Sequence, residues 1–226
     1  MELLDNIPVS MPVEVIKRKL HIKEDSQWNE VQPLVEAALP VIAAKAVYKV
    51  CYIDKKLKDA VLIDGISFKS RVLRKNFDAV ERVFPYVITI GDELQQKARA
   101  FNDLLKQYYL DIIGNIALTA AREYLEERLR TKYGLGGMSR MSPGSLTDWP
   151  IQEQKPLFSL LGDVEASIGV KLAKNLLMIP QKSISGIYFP TEISFYSCQL
   201  CPRERCPSRM TGYNEKLARE YGIDEH

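Results

Sequence analysis

Apolar residues recur at helical spacing in the first long patterned stretch, Trp28 to Ala44, where Val31, Leu34, Ala37, Ala38 and Ile42 share a face and Pro40 kinks or divides the helix. Two β-branched and aromatic runs follow, residues 46–53 and 60–63. The charged turn 54–59 between them is hairpin syntax, and Cys51 falls on the first strand. Residues 84–91 read as a further strand ending at Gly91. Asp92 is a plausible N-cap for a helix through about Phe101.

A long helix then spans about Leu104 to Tyr133. Its expected buried stripe is Leu105, Tyr108, Ile112, Ile116, Leu118 and Ala121, and its far end, from Arg122 to Arg130, is charged and solvated. Gly134, Gly136 and Gly137 stop it. Beyond them the pattern gives a loop over 138–150, a shorter helix over about 153–166, strands at 183–189 and 193–196, and a last amphipathic helix over 214–221. Strands precede and follow a helical middle without regular alternation. That order predicts an α+β fold, a largely antiparallel twisted sheet flanked by helices with one long central helix. Gly134-Leu135-Gly136-Gly137 follows a helix, so it reads as a helix C-cap and fails the context of a dinucleotide-binding turn.

Composition narrows the partners. The 226 residues are 46% apolar, enough for a substantial core, and 31 basic against 29 acidic side chains give a net charge of +2, interleaved along the chain. No basic field argues for nucleic acid. No stretch approaches the length of a membrane span, and the first residues lack the cationic-then-apolar order of a secretion signal, so a cytoplasmic location is expected, where thiols stay reduced.

Three of the four cysteines lie within nine residues as Cys198-x2-Cys201-x4-Cys206, a spacing that turns three thiolates toward one ion or cluster. Cys51 is the remaining cysteine. Three readings stand: a 4Fe-4S cluster on all four thiolates, a structural zinc completed by Cys51, His21 or His226, and a loop of reduced thiols or a disulfide. Arg203, Arg205 and Arg209 surround the run, either solvating it or steering an acidic redox partner. Upstream, the loop Arg140 to Pro150 offers a guanidinium for a carboxylate fork, glycine where backbone approaches a ligand, and prolines that hold its shape.

That loop, with Gln154, the Leu157 to Leu161 helix, Ile168-Gly169-Val170 and the run Met178 to Phe189, resembles the activation domain of vitamin B12-dependent methionine synthase and its stand-alone relatives. The resemblance covers about Arg122 to Tyr196. It implies a domain that binds S-adenosylmethionine and presents it to the cobalt of a neighbouring corrinoid, with residues 1–196 as the domain and 197–226 as a Cys-rich tail packed on it. By the same resemblance Arg140 holds the methionyl carboxylate, Ser142 and Gly144 line the ligand, and Tyr196 stands at or next to a family tyrosine. Two positions depart from the pattern: Ser145 replaces the tyrosine after the glycine, and Thr119 falls near an acidic residue that contacts the methionyl amine.

The combined expectation is an accessory protein for reductive activation of cobalamin. It would dock on a corrinoid-binding protein or corrinoid methyltransferase, exchange electrons with a redox donor protein and pass one through a 4Fe-4S cluster. The alternative is a zinc-containing docking module without redox activity. A methyltransferase acting on a small molecule would need a nucleophile or base near Arg140, and both histidines are remote in sequence.

Overall fold

The computed structural model describes residues 1–206 and 209–223. Among the described residues ten strands are present: β1 (Glu2–Leu4), β2 (Lys45–Tyr48), β3 (Cys51–Lys56), β4 (Ala60–Ile63), β5 (Ile66–Lys69), β6 (Arg82–Thr89), β7 (Met138–Met141), β8 (Lys171–Leu172), β9 (Met178–Ile179) and β10 (Ser183–Pro190). The helices are α1 (Val13–Lys19), α2 (Asp25–Ala38), α3 (Arg71–Asn76), α4 (Glu93–Arg99), α5 (Leu104–Tyr133), α6 (Gln154–Leu161), α7 (Val164–Ile168) and α8 (Glu215–Glu220).

Eight strands form one antiparallel sheet centred on β6. One edge of β6 pairs with β10, which pairs onward with β7. Its other edge is shared: β2 takes residues 86–89 and β3 takes 82–83. The fork falls at Pro85. Proline has no N–H to give a ladder, so the partner strand lets go there, and Lys49 N instead donates to the Pro85 carbonyl at 3.1 Å. The expected single strand over 46–53 is therefore two, β2 continuing to β1 and β3 continuing to β4 and β5.

Alternation along β6 and β10 sorts the core. Phe84, Tyr86, Ile88 and Tyr188 face α1, α2 and α5, whereas Val83, Ile187 and Phe189 join Phe68, Trp149 and Leu157 on the opposite face. The central helix α5 begins where Asp103 Oδ1 accepts from Leu105 N and Lys106 N, and it ends at Gly134 in the left-handed region (φ 62°). Its span matches the expectation, and of the expected buried stripe Ile116, Leu118 and Ala121 are buried. Leu110, Ile113, Ala117, Ala121, Leu125 and Leu129 are buried, while Leu105 and Tyr108 are exposed. The first two turns pack beside α4 and not on the sheet, which leaves Leu105 and Tyr108 at the surface.

Other boundaries moved for local reasons. A reciprocal cap between Glu24 and Gln27 starts α2 before Trp28, and Pro40, within the tight turn 39–41, ends it at Ala38. Gly162 (φ 88°) divides the expected helix over 153–166 into α6 and α7, and Asp163 caps the second. Residues 193–196 are not a strand. Instead Phe195 is buried and its N–H donates to Ser139 Oγ at 2.7 Å. Among the described residues no helix is long and apolar enough to cross a membrane.

Candidate functional site

The strand β7 leads directly into the loop that carries the predicted binding residues. Met138-Ser139-Arg140-Met141 is too short and mixed to announce a strand. Pairing with β10 makes it one, and sets Arg140 opposite Tyr188. Past Met141 the chain folds back on itself through Ser145 N to Ser142 O (3.1 Å), Trp149 N to Leu146 O (3.1 Å) and Gly144 N to Trp149 O (2.8 Å). Gly144 holds φ 84°, and a Cβ there would lie 3.1 Å from Ile151 Cδ1. Trp149 is fully buried and fixes the loop in the core.

Asp148 ties this loop to the opposite wall. Its carboxylate accepts from Ser70 Oγ (2.5 Å), Val72 N (3.0 Å) and Arg71 Nε (3.1 Å), and its side chain is only 8% exposed. The acid thus completes the start of α3, where Ser70 Oγ already accepts from Leu73 N.

Arg140 is half-buried and points to α5, where Glu126 Oε2 lies 3.5 Å from its Nη1. Among the described residues neither side chain makes a hydrogen bond. Beside them Tyr86 and Tyr188 stack with ring centroids 4.6 Å apart. Burial pushes both phenols up, while the positive charges of Arg140 and Arg122 oppose that rise. The Ser142 side chain reaches the Tyr86 phenol. Arg122 contributes its carbonyl to Tyr188 OH at 3.3 Å, and its Nε is buried without a partner.

Tyr196 arrives next to this region. The bond from Phe195 N to Ser139 places it beside β7, and Ser145 Oγ meets Ser197 Oγ at 3.4 Å. Arg140, Ser142 and Gly144 thus follow one another on β7 and its loop, and the residues on either side of Tyr196 touch Ser139 and Ser145. Sequence reasoning missed Glu126, Arg122, Asp148 and the tyrosine pair. Glu126 and Arg122 sit in a charged run that reads as solvated, and only the partner strand shows that their side of α5 meets β7.

The cysteines are arranged differently. Cys198, Cys201 and Cys206 are partly exposed and free. Their loop wraps the Arg209 guanidinium, which donates to the carbonyls of Cys198 (3.3 Å), Cys201 (3.0 Å), Thr211 (3.1 Å) and Arg203. Met210 N donates to Cys198 Sγ at 3.4 Å. Cys51 is fully buried on β3, in the apolar cluster against which Cys201 packs. Burial and the Asp64 carboxylate push its thiol up to about 12. No group of three or more metal-binding side chains is assembled among the described residues. The donor types suit a soft metal, but their positions do not collect around one point. His21 is exposed in the turn after α1, and His226 lies outside the described residues.

Two grooves lie elsewhere. One of about 410 Å³ runs between α4, the first turns of α5 and Lys182, and another of about 640 Å³ opens between Lys58, Lys69, Arg71 and Asp148. Neither contains Arg140 or a cysteine. The unspent hydrogen-bonding capacity at Arg140 marks the site better than groove size does.

A forked antiparallel sheet, one long helix and a loop locked between them define an α+β scaffold. The chain belongs to the vitamin B12-dependent methionine synthase activation domain family, whose model matches residues 66–208, more than half of the sequence. Among solved structures, the crystal structure of the MetH reactivation domain bound to AdoHcy matches with a TM-score of 0.58 at 17% identity, over 86% of this chain and 79% of that one. At that identity the likeness establishes the fold. No curated protein matches the chain.

Proposed function

We propose that this protein restores activity to a corrinoid protein by holding S-adenosylmethionine at the Arg140 loop and presenting it to cobalamin on a corrinoid-binding protein or corrinoid methyltransferase. The observation that carries this reading is the half-buried Arg140 guanidinium, free of hydrogen bonds among the described residues, beside the left-handed Gly144. Both features fit the methionyl end of such a ligand. A fixed guanidinium matches a carboxylate, and the bare glycine lets backbone approach it. The structural relative crystallised with AdoHcy, the product of methyl donation, is consistent with that ligand class.

When bound, S-adenosylmethionine supplies an electrophilic methyl group, and the partner's cobalt is its acceptor after a redox donor protein has delivered one electron. The chain's own residues bind and orient. Arg140 takes the carboxylate, Ser142 and Gly144 line the ligand, Tyr196 covers it, and Asp148 and Trp149 keep the loop from yielding. Calorimetry with AdoHcy tests the binding step, and recovery of the methylcobalamin absorption of an inactivated partner tests the activity. Absence of both refutes the reading.

The tail, residues 197–226, extends the proposal as a unit distinct from the domain of residues 1–196. Cys198, Cys201 and Cys206, with Cys51 as the fourth thiolate, would hold a 4Fe-4S cluster, a group suited to low-potential electron transfer. Reduced thiols of this kind accord with a cytoplasmic location. Structural zinc is the second reading, favoured by the way Leu200 and Ala218 already bury the tail against the core. Brown, iron-containing protein from anaerobic purification supports the cluster, whereas colourless protein with stoichiometric zinc supports the second reading. Unchanged iron in Cys51→Ser removes Cys51 from the ligand set.

A further inference from the structure

We propose that Arg209 is the positioning residue of the tail's thiols: it fixes the main chain of the loop from Cys198 to Cys206 before any metal arrives, so that a metal has only the sulfurs left to gather. This inference rests on the reading of the tail as a thiolate metal site and adds the residue that shapes it.

All three tail cysteines bond to this one residue. The Arg209 guanidinium donates from Nη1 to the Cys198 carbonyl (3.3 Å) and from Nη2 to the Cys201 carbonyl (3.0 Å), and the Arg209 main-chain N–H donates to the Cys206 carbonyl (3.1 Å). The same two terminal nitrogens also donate to the carbonyls of Thr211 (3.1 Å) and Arg203. A guanidinium presents its donors in one rigid plane, so the carbonyls that meet it are held at set directions and not merely near a charge. The next residue adds a contact to sulfur. Met210 N donates to Cys198 Sγ at 3.4 Å, a bond of the kind that orients a thiolate ligand from outside the metal.

The flanks of the loop are tied down as well. Gln199 accepts from Tyr196 N through its side chain (2.9 Å) and from Asn214 N through its carbonyl (2.8 Å), and Leu200 beside it is buried. The three arginines near the cysteines therefore divide. Arg203 and Arg205 are exposed and their side chains make no hydrogen bond among the described residues, whereas Arg209 turns its guanidinium into the loop. A residue that only solvated the run or steered a partner would leave its fork in water.

The test titrates the metal-free full chain anaerobically with cobalt(II), and separately with ferrous iron and sulfide, reading the thiolate-to-metal charge-transfer absorption. Arg209→Gln should weaken uptake by about ten- to a hundredfold, the usual cost of losing a group that orients metal ligands, and should lower the absorption per bound ion because fewer sulfurs reach it. Arg209→Lys keeps the charge without the fork and should not rescue uptake, and Arg205→Gln should match the unmodified protein. Undiminished uptake by Arg209→Gln, or full rescue by Arg209→Lys, overturns the positioning role and leaves the metal reading intact. Failure of the unmodified protein to take up either metal overturns both. Hydrogen exchange on the unmodified metal-free protein needs no substitution, so a misfolded variant does not shield the proposal. The amides of Cys201 and Asn214, bonded to the carbonyls of Cys198 and Gln199, should be protected, and free exchange at both overturns a loop set in advance.

Discussion

Replacing Asp148 with Ala should loosen the binding loop from the fold more than any other change of one exposed-loop residue. The carboxylate serves three donors from a position where water scarcely reaches it, at 8% side-chain exposure. The bonds from Ser70 Oγ and Val72 N are hydrogen bonds to a charged acceptor, worth about 1.5 kcal/mol each at the low end of their range. The Arg71 pair contributes less. Arg71 is 53% exposed, so that ion pair is worth about 0.5 kcal/mol. The expected loss is thus about 3.5 kcal/mol, which for a domain of this size lowers the melting temperature by about 7 to 14 °C.

Urea unfolding followed by tryptophan fluorescence is the assay, since Trp149 is the neighbour of Asp148 and is fully buried. Asp148→Asn keeps one acceptor but removes the charge, so it should lie between Ala and the unmodified protein. Asp59→Asn, at the rim of the same groove, is the control and should cost less than about 0.5 kcal/mol. A loss below about 1 kcal/mol for Asp148→Ala at unchanged m-value would refute the reasoning. The loop would then be held by Trp149 burial alone.

Three further outcomes follow from the same geometry. Glu2 is drawn down to about 2, chiefly by its bond to Lys132 and also by Tyr48 and Tyr133, so its stabilisation is complete above the ordinary carboxylate range and fades as pH falls from about 4.5 to 2. Because its side chain is 42% exposed, Glu2→Gln should cost only about 1 kcal/mol at pH 7, and urea midpoints of the two proteins should converge on acidification. The buried Cys51 thiol, pushed up to about 12, should resist an aromatic disulfide reagent at pH 8 in metal-free native protein, while the three tail thiols react and the fourth appears only on unfolding. Gly144→Ala forces a side chain into the left-handed region and against Ile151, so it should cost about 1 to 2 kcal/mol in thermal melts and weaken AdoHcy binding in calorimetry.

The elements that sequence made legible are those whose signals are local. The central helix carries its own stop signals, Asp103 at one end and Gly134 at the other, with 30 residues free of proline between them. The hairpin of β3 and β4 needs only its charged turn. What required the structure was everything decided by a distant partner. The fork between β2 and β3 is dictated by Pro85, 34 residues beyond Cys51, and β7 exists because β10 pairs with it. The site divides in the same way. Arg140 and Gly144 stand out in a loop rich in glycine and proline, whereas Glu126 differs from its solvated neighbours only in facing β7.

The two departures at the loop and tail are spatially one. The resemblance expects a tyrosine where Ser145 stands, and the Ser145 hydroxyl meets that of Ser197, the residue before Cys198. A hydroxymethyl group lets the tail approach the loop this closely, where an aromatic ring directed the same way would occupy the volume of Ser197. Tyr196 and Phe195 then fill the adjacent space, Phe195 by bonding to Ser139 and packing against Tyr221 with centroids 5.7 Å apart. The start of the tail is thus held against the loop and β7 by Ser197 and Phe195, and the cysteine run begins directly after that contact.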